Sequence, residues 1–201
     1  MKPQVILAFD SSAAHCAAAL LCDGRVTVKD EAMAKGQAER LIPLLEELLA
    51  GAGIGWGDLT ALAVGTGPGN FTGVRIAVAA ARGLALGLGI PAIGVTRLEA
   101  LAHGLPRPIT VIEDARRGAV YIQGFDGGAA RIADAAAVAE VSGPQTGSAA
   151  VNGLAPAMPL VEAIARIAAT RTGTAQPRPA PFYLRGADAA PPADPPPVIL
   201  P

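Results

Sequence analysis

The sequence predicts an α/β fold arranged as two lobes. Short apolar runs typical of strands alternate with longer stretches of helical periodicity. The pattern changes after Leu105-Pro106, where two strand-like runs follow each other directly. With 201 residues, 51% of them apolar, the chain can bury one substantial core or two smaller ones. We therefore predict a first lobe over residues 1–104 and a shorter second lobe over residues 105–201 with a proline-rich C-terminal tail.

The first strands should form an antiparallel meander. Val5 to Phe9 is apolar and ends in the polar triplet Asp10-Ser11-Ser12. The next two runs, His15 to Cys22 and Arg25 to Ala32, flank Asp23-Gly24, which is a strong signal for a two-residue hairpin turn. Three consecutive antiparallel strands follow from this pattern.

The first helix carries more apolar residues than one sheet face requires. Leu41, Ile42, Leu45, Leu48 and Leu49 recur at helical spacing, and Leu44 widens their stripe. Because proline fits only in the first turn of a helix, Pro43 places the predicted start near Arg40. The surplus apolar surface indicates a partner.

A glycine-rich block lies between the apolar strand Ala61 to Val64 and a helix predicted from about Thr72 to Leu88. A strand, a glycine loop and a helix N-terminus together direct N–H groups and a helix dipole at one place, which suits an anion. The residues that would form such an anion or nucleotide site are Asp10, Ser11, Gly67, Gly69 and Thr72, with Thr72 as N-cap. A structural turn that permits close packing remains the alternative.

Specific nucleotide motifs are missing from this block. A P-loop requires lysine followed by serine or threonine after its last glycine, and Asn70-Phe71 follows Gly69 instead. A dinucleotide fingerprint that began at Gly67 would require glycine or alanine where Thr72 stands. No histidine or cysteine cluster has metal-ligand spacing and no G-x-S-x-G nucleophile elbow occurs, so we assign neither a metal site nor catalytic residues.

The remaining elements are predicted more coarsely. Strands are expected over Ile90 to Val95, Ile109 to Ile112 and Ala119 to Phe125, with a weak strand over Ala149 to Val151. Thr96 should cap a helix that ends near His103, and helices are expected over Ala135 to Val141 and Leu160 to Ala169. The tail from Pro191 should be extended or disordered.

Composition points to a soluble cytoplasmic protein. Sixteen Lys and Arg against seventeen Asp and Glu give a net charge of −1, so the chain lacks the basic excess that favours RNA binding by itself. Cys16 and Cys22 fall in one strand, too far apart for a disulfide, which fits a reducing compartment. The chain enters a strand within five residues, which leaves no room for a signal peptide, and Arg82 interrupts the longest apolar stretch. We expect no membrane association.

Several segments together resemble the TsaB (YeaZ) family. The long glycine block is the most specific of them, and the resemblance is dense over residues 4–126. The segments that carry it are Asp10-Ser11-Ser12, Gly65 to Ile76, Gly83 to Gly87, Ile93-Gly94-Val95, Asp114-Ala115-Arg116 and Tyr183-Leu184-Arg185.

The resemblance implies an actin-like, Hsp70-like ATPase (ASKHA) fold, with a mixed sheet and a leading β-meander in each lobe. It also implies a non-catalytic dimerisation subunit, not a protease, in the synthesis of threonylcarbamoyladenosine at tRNA position 37. In that system TsaD transfers the threonylcarbamoyl group and holds the metal, and TsaE is an ATPase. This chain would bind and activate TsaD, help to recruit TsaE, meet tRNA only through the complex and bind no cofactor alone. The absence of a His-x-x-x-His pair agrees with that role.

We hypothesise that the first two helices present one surface to TsaD, or to a second copy of this chain in isolation. Two arginines, seven residues apart, lie beside a row of small residues on the second helix. The predicted interface residues are Leu41, Leu44, Leu45, Leu48, Arg75, Val78 and Arg82. The alternatives are a self-sufficient nucleotide-binding enzyme that uses Asp10 and the glycine loop, and a standalone tRNA-binding module.

Overall fold

The structure, a computed structural model, describes residues 4–185. The predicted proline-rich tail from Pro191 lies outside the described residues. Nine strands and four α-helices occur in the described part, in the order β1 (Val5–Asp10), β2 (His15–Cys22), β3 (Arg25–Ala32), α1 (Gln37–Gly51), β4 (Ala61–Gly65), α2 (Phe71–Leu88), β5 (Ala92–Val95), α3 (Arg97–Ala102), β6 (Thr110–Asp114), β7 (Ala119–Gly124), β8 (Arg131–Asp134), β9 (Gln145–Thr146) and α4 (Leu160–Ala169). Short 3₁₀ helices cover Trp56–Asp58 and Ala135–Glu140.

Both sheets are mixed, and each begins with the expected meander. The first has the order β3-β2-β1-β4-β5, in which β1, β2 and β3 are antiparallel while β4 and β5 pair in parallel. The second has the order β8-β7-β6-β9, with β6, β7 and β8 antiparallel and β9 parallel to β6. The predicted α/β fold with two mixed sheets is confirmed.

Helices cover both faces of the first sheet. Successive residues of a strand point to opposite sides, and the residues of β1 are buried on both sides. Val5, Leu7 and Phe9 of β1 face the cluster that contains residues of α1 and α2. Ile6 and Ala8 face the cluster that contains the buried residues of α4. Helix α4 therefore packs against the first sheet. The predicted second lobe, residues 105–201, includes this helix although it lies against the first sheet.

Several predicted boundaries are wrong. Helix α1 begins at Gln37, three residues before the predicted start, and so holds Pro43 inside its second turn. The carbonyl that loses its partner to proline belongs to exposed Glu39, at the solvent side, which makes the loss tolerable. Residues 135–140 form a 3₁₀ helix, and the predicted strand over 149–151 is a turn that follows β9.

Helix α2 is long and apolar enough, by length and composition, to cross a membrane, although Arg75 and Arg82 lie in it. Arg82 therefore does not by itself make this stretch too short or too polar to span a membrane. Core helices of soluble proteins pass the same test, and Val74 and Val78 pack this helix into the first hydrophobic cluster.

Candidate functional site

The glycine block is packed directly against the loop that joins β1 to β2. A Cβ built on Gly69 would lie 2.4 Å from the carbonyl oxygen of Ser12, and one built on Gly73 would lie 1.8 Å from that of Ser11. One built on Gly65 would lie 1.9 Å from Asp10 Oδ1. Separations this short cannot be accommodated without movement, so these three positions require glycine for lack of space. The closeness supports the packing interpretation of the block.

Asp10 lies at the centre of this contact and is fully buried. Its Oδ2 accepts hydrogen bonds from the Ser12 amide and hydroxyl, both at 2.9 Å, and lies 2.8 Å from His15 Nε2. The other ring nitrogen of His15 lies 3.5 Å from an oxygen of half-exposed Asp30. Asp10 Oδ1, by contrast, is buried without a hydrogen-bond partner within residues 4–185 and faces Gly65.

The charges of Asp10 and His15 support each other. Burial raises the pKa of the Asp10 carboxyl and is the largest single effect, but the hydrogen bond and charge of His15, the Ser12 amide and the charge of Arg97 together outweigh it, so that the net shift is downward. The hydrogen bond to Asp10 raises the pKa of His15 against a smaller opposing effect of burial. The pair therefore favours carboxylate and imidazolium, which anchors the β1–β2 loop beneath the glycine block.

The side chain of Asn70 caps the N-terminus of helix α2. Asn70 Oδ1 accepts hydrogen bonds from the amides of Thr72 and Gly73 at 3.0 and 3.1 Å. The predicted N-cap Thr72 is therefore wrong, because the residue two positions earlier has the side chain that reaches these amides. Ser11 Oγ is also engaged, since it donates to the Gly73 carbonyl at 2.8 Å. Anion binding at this loop stays a prediction, but two of the helix amides that it would use are already satisfied.

The leucines predicted to form an interface belong to the core instead. Leu41, Leu44, Leu45 and Leu48 are between 0 and 6% exposed, and Val78 is 2% exposed. Helices α1 and α2 pack these side chains against the first sheet and each other. The prediction that they present a docking surface is wrong, because the sheet face buries every member of the widened stripe except Ile42, which is 36% exposed. Only Arg75 and Arg82 of the predicted interface are exposed.

The outward side of α2 carries an exposed stripe that sequence reasoning described only in part. Spacings of four, four, three and four residues place its members on one side of the helix. We call this set the α2 stripe; it consists of Phe71, Arg75, Ala79, Arg82 and Leu86. Phe71 is 47% exposed and Leu86 is 77% exposed, so two of the seven exposed large apolar side chains within residues 4–185 lie on this stripe.

A contact between residues that are far apart in sequence holds the side chains at one end of the α2 stripe in place. Arg75 stacks over the Phe71 ring at 3.5 Å and donates from Nε to the Tyr183 hydroxyl at 2.8 Å. The rings of Phe71 and Tyr183 lie 5.3 Å apart. The segment that contains Tyr183 is held by a Phe182 amide hydrogen bond to the Thr66 carbonyl. The sequence shows the motif around Tyr183, but it does not show the contact with Arg75, because 108 residues separate the two.

A cleft of about 670 Å³ lies between the glycine block and the β6–β7 hairpin. Arg97 reaches from α3 to Glu113 of β6 at 2.6 Å, and Glu113 also accepts from the Ser148 amide. Arg185 closes one side by donating to the carbonyls of Ala115 and Arg116 at 3.0 and 3.3 Å. The polar groups of this cleft are thus partly used to join the two lobes.

The donor set of the described residues does not suit a metal ion. Within residues 4–185, no group of three or more His, Cys, Asp or Glu side chains could hold one. Oδ1 of Asp10 is unpartnered but faces the Gly65 backbone. We therefore assign no metal or nucleotide ligand to this chain from the geometry.

Comparisons with known proteins agree on one family. The model of the family TsaD: tRNA N6-adenosine threonylcarbamoyltransferase matches residues 28–186. A curated relative from Escherichia coli K12, tRNA threonylcarbamoyladenosine biosynthesis protein TsaB, is 40% identical over 121 residues, which are 58% of this chain and 52% of the relative. The TsaB protein of Haemophilus influenzae is 38% identical over 127 residues, 60% of this chain and 53% of the relative. The chain thus spans about half the length of these curated relatives.

Solved structures from Pseudomonas aeruginosa are similar over a longer part of the chain. One, called YeaZ, is 28% identical with a TM-score of 0.68, and the match covers 90% of this chain and 100% of that one. Another, described as similar to peptidase YeaZ, has the same identity and coverage and a TM-score of 0.70.

Proposed function

Because the chain belongs to the TsaD family and resembles its TsaB (YeaZ) members, we propose that it is an accessory subunit in tRNA threonylcarbamoyladenosine biosynthesis. It acts in the cytoplasm by binding a TsaD-type transferase, which it activates, and by helping to recruit TsaE. The chain is itself neither the transferase nor a peptidase. The observation that carries the proposal is the α2 stripe, which exposes Phe71 and Leu86 together with two arginines on one side of the helix.

The chemistry of the α2 stripe fits a protein partner. Large apolar residues stand at its two ends, and Ala79 between them is small. Gly83 beside the stripe has open space where a side chain would stand, which lets a partner helix approach closely. From Phe71 to Leu86 the stripe is about 22 Å long, at 1.5 Å per residue. Aromatic residues and arginine are enriched in protein interfaces, and Phe71 and Arg75 supply both.

The same surface serves a second copy of the chain when the transferase is absent. A homodimer and the heterodimer would then compete for the α2 stripe. One exposed surface is therefore enough for both the predicted homodimer and the predicted TsaD complex.

Substitution of Leu86 by glutamate tests the interface. Because Leu86 is 77% exposed, Leu86→Glu should leave folding intact but place a charge in the contact and reduce association at least tenfold, since each 1.4 kcal/mol lost is about tenfold. Co-purification with the TsaD-type protein of the same source and light scattering of the isolated chain measure the two associations. Val151→Glu is the matched control, because Val151 is also exposed, at 64%, but lies in the second lobe.

Two results would contradict the proposal. Unchanged co-purification of Leu86→Glu would exclude the α2 stripe as the interface. Calorimetry that shows micromolar binding of ATP and Mg²⁺ by the isolated chain, lost on Asp10→Ala in a variant that stays folded, would favour the self-sufficient enzyme instead.

A further inference from the structure

A basic groove lies at the edge of the first lobe, away from the glycine block. It lies between the last turns of α2, the start of β5 and the segment 171–179 that follows α4, with a volume of about 480 Å³. Arg82 and Leu86 line both this groove and the α2 stripe, but the segment 171–179 and the start of β5 take no part in the proposed accessory function. Of its fourteen lining residues, three are arginines and none is acidic.

The three arginines differ in how far their charge is available. Arg171 donates to Glu99 Oε1 at 2.7 Å, so its charge is largely compensated. Within residues 4–185, Arg82 and Arg178 are exposed and make neither an ion pair nor a side-chain hydrogen bond. The isolated chain, whose net charge is −1, therefore presents two uncompensated guanidinium groups in the groove. Arg82 also belongs to the α2 stripe, so Arg178 is the one that stays outside the proposed partner contact.

The two threonine hydroxyls of the groove are already occupied. Thr172 Oγ1 is bound to Gln4 Nε2 and donates to the Ala169 carbonyl, and Thr174 Oγ1 donates to the Arg171 carbonyl and accepts from Gln176. A ligand would consequently meet the arginines first. Guanidinium groups bind phosphate oxygens in a bidentate manner and keep their charge at every physiological pH.

We propose that this groove binds the phosphate backbone of helical RNA. Unpaired nucleotides are usually held by stacking on aromatic rings, and no aromatic residue lines the groove. Base-paired stems are recognised through backbone phosphates instead, which requires only placed positive charge. Because tRNA is the substrate of the pathway, this inference rests on the proposed function and assigns the chain a stem contact of its own.

Charge reversal at Arg178 tests the groove without touching the α2 stripe. Arg178 lies outside helix α2, so Arg178→Glu should leave co-purification with the TsaD-type partner unchanged. Binding of an unmodified tRNA transcript to the assembled complex should weaken about tenfold at low salt, and the slope of log affinity against log salt should fall by about one. Arg131→Glu is the matched control, because it makes the same charge change at an exposed position on β8.

The control outcomes separate this inference from the proposed function. If the complex does not form, photo-crosslinking of the isolated chain to a duplex RNA at low salt tests the groove independently, with crosslinks expected in residues 171–179. Equal weakening by both substitutions, or native binding without crosslinks in this segment, would overturn the assignment. Arg178-dependent binding of a poly-glutamate peptide without binding of tRNA would overturn it in favour of an acidic protein partner.

Discussion

Alanine substitutions at two glycines of the same helix should change stability in opposite directions. Gly73 and Gly83 both lie within α2 and neither has a positive φ. Backbone conformation therefore does not distinguish them. Alanine removes the entropic cost of glycine in a helix, which by itself stabilises by about 0.5–1 kcal/mol at either position. Only the surrounding space decides the sign of the total.

At Gly73 the space is taken by the β1–β2 loop. The new Cβ would lie 1.8 Å from the Ser11 carbonyl oxygen and 2.9 Å from its carbon, so backbones must separate by more than about 1 Å to restore normal contact. Ser11 cannot withdraw freely, because its hydroxyl donates to the Gly73 carbonyl at 2.8 Å. Overpacking costs about 1–3 kcal/mol and a lost hydrogen bond about 1 kcal/mol. After the helix gain is subtracted, Gly73→Ala should destabilise by about 2 kcal/mol.

At Gly83 no atom lies within 4 Å of the new Cβ. Gly83→Ala should therefore stabilise the chain by about 0.5–1 kcal/mol. Urea unfolding followed by circular dichroism, at low protein concentration to avoid association through α2, measures both free energies. Equal stability of Gly73→Ala and the unsubstituted chain would refute the packing account of the glycine block. Destabilisation by Gly83→Ala would refute the assignment of open space there.

Two further predictions concern the core and the Asp10–His15 pair. Leu45→Ala should cost about 2–5 kcal/mol, because the side chain is 0% exposed, whereas Ile42→Ala, at 36% exposure, should cost under about 1 kcal/mol; equal costs in urea unfolding would contradict the reassignment of Leu45 to the core. The raised pKa of His15 means that its stabilising effect is complete below the unfolded-state pKa, near 6.5, and is lost as the pH rises through the higher folded-state pKa. The deficit of His15→Asn in free energy of unfolding should accordingly be largest in mild acid, above the lowered pKa of Asp10, and shrink as the pH rises; a deficit that grows with pH would contradict the pairing.

Local signals in the sequence were sufficient where neighbouring residues decide the structure. The turn at Asp23-Gly24 has positive φ at both residues, as a primed hairpin turn requires, and the meander followed from it. Thr96 and Glu99 form the capping box that starts α3, which involves contacts only three residues apart. Elements of this kind depend on spacing, and spacing is visible in the sequence.

Tertiary packing decided which groups are available to partners. Helical periodicity identified the leucines of α1 as one apolar face, but it could not show that the chain itself covers that face completely. Nor could the sequence show that the Tyr183 hydroxyl accepts a hydrogen bond from Arg75, because 108 residues separate the two. Long-range contacts of this kind leave no periodic trace in a single sequence.

What the sequence determined by itself is the order of strands and helices from β1 to β7, the antiparallel meander of the first sheet and the presence of a specific glycine block; it did not predict β8 or β9. What only the tertiary structure decided is why that block contains glycine: the backbone of Ser11 and Ser12 and the carboxylate of Asp10 occupy the space that side chains would need. The physical reason is that backbone propensity acts locally, whereas excluded volume arises between segments about sixty residues apart that meet only after folding.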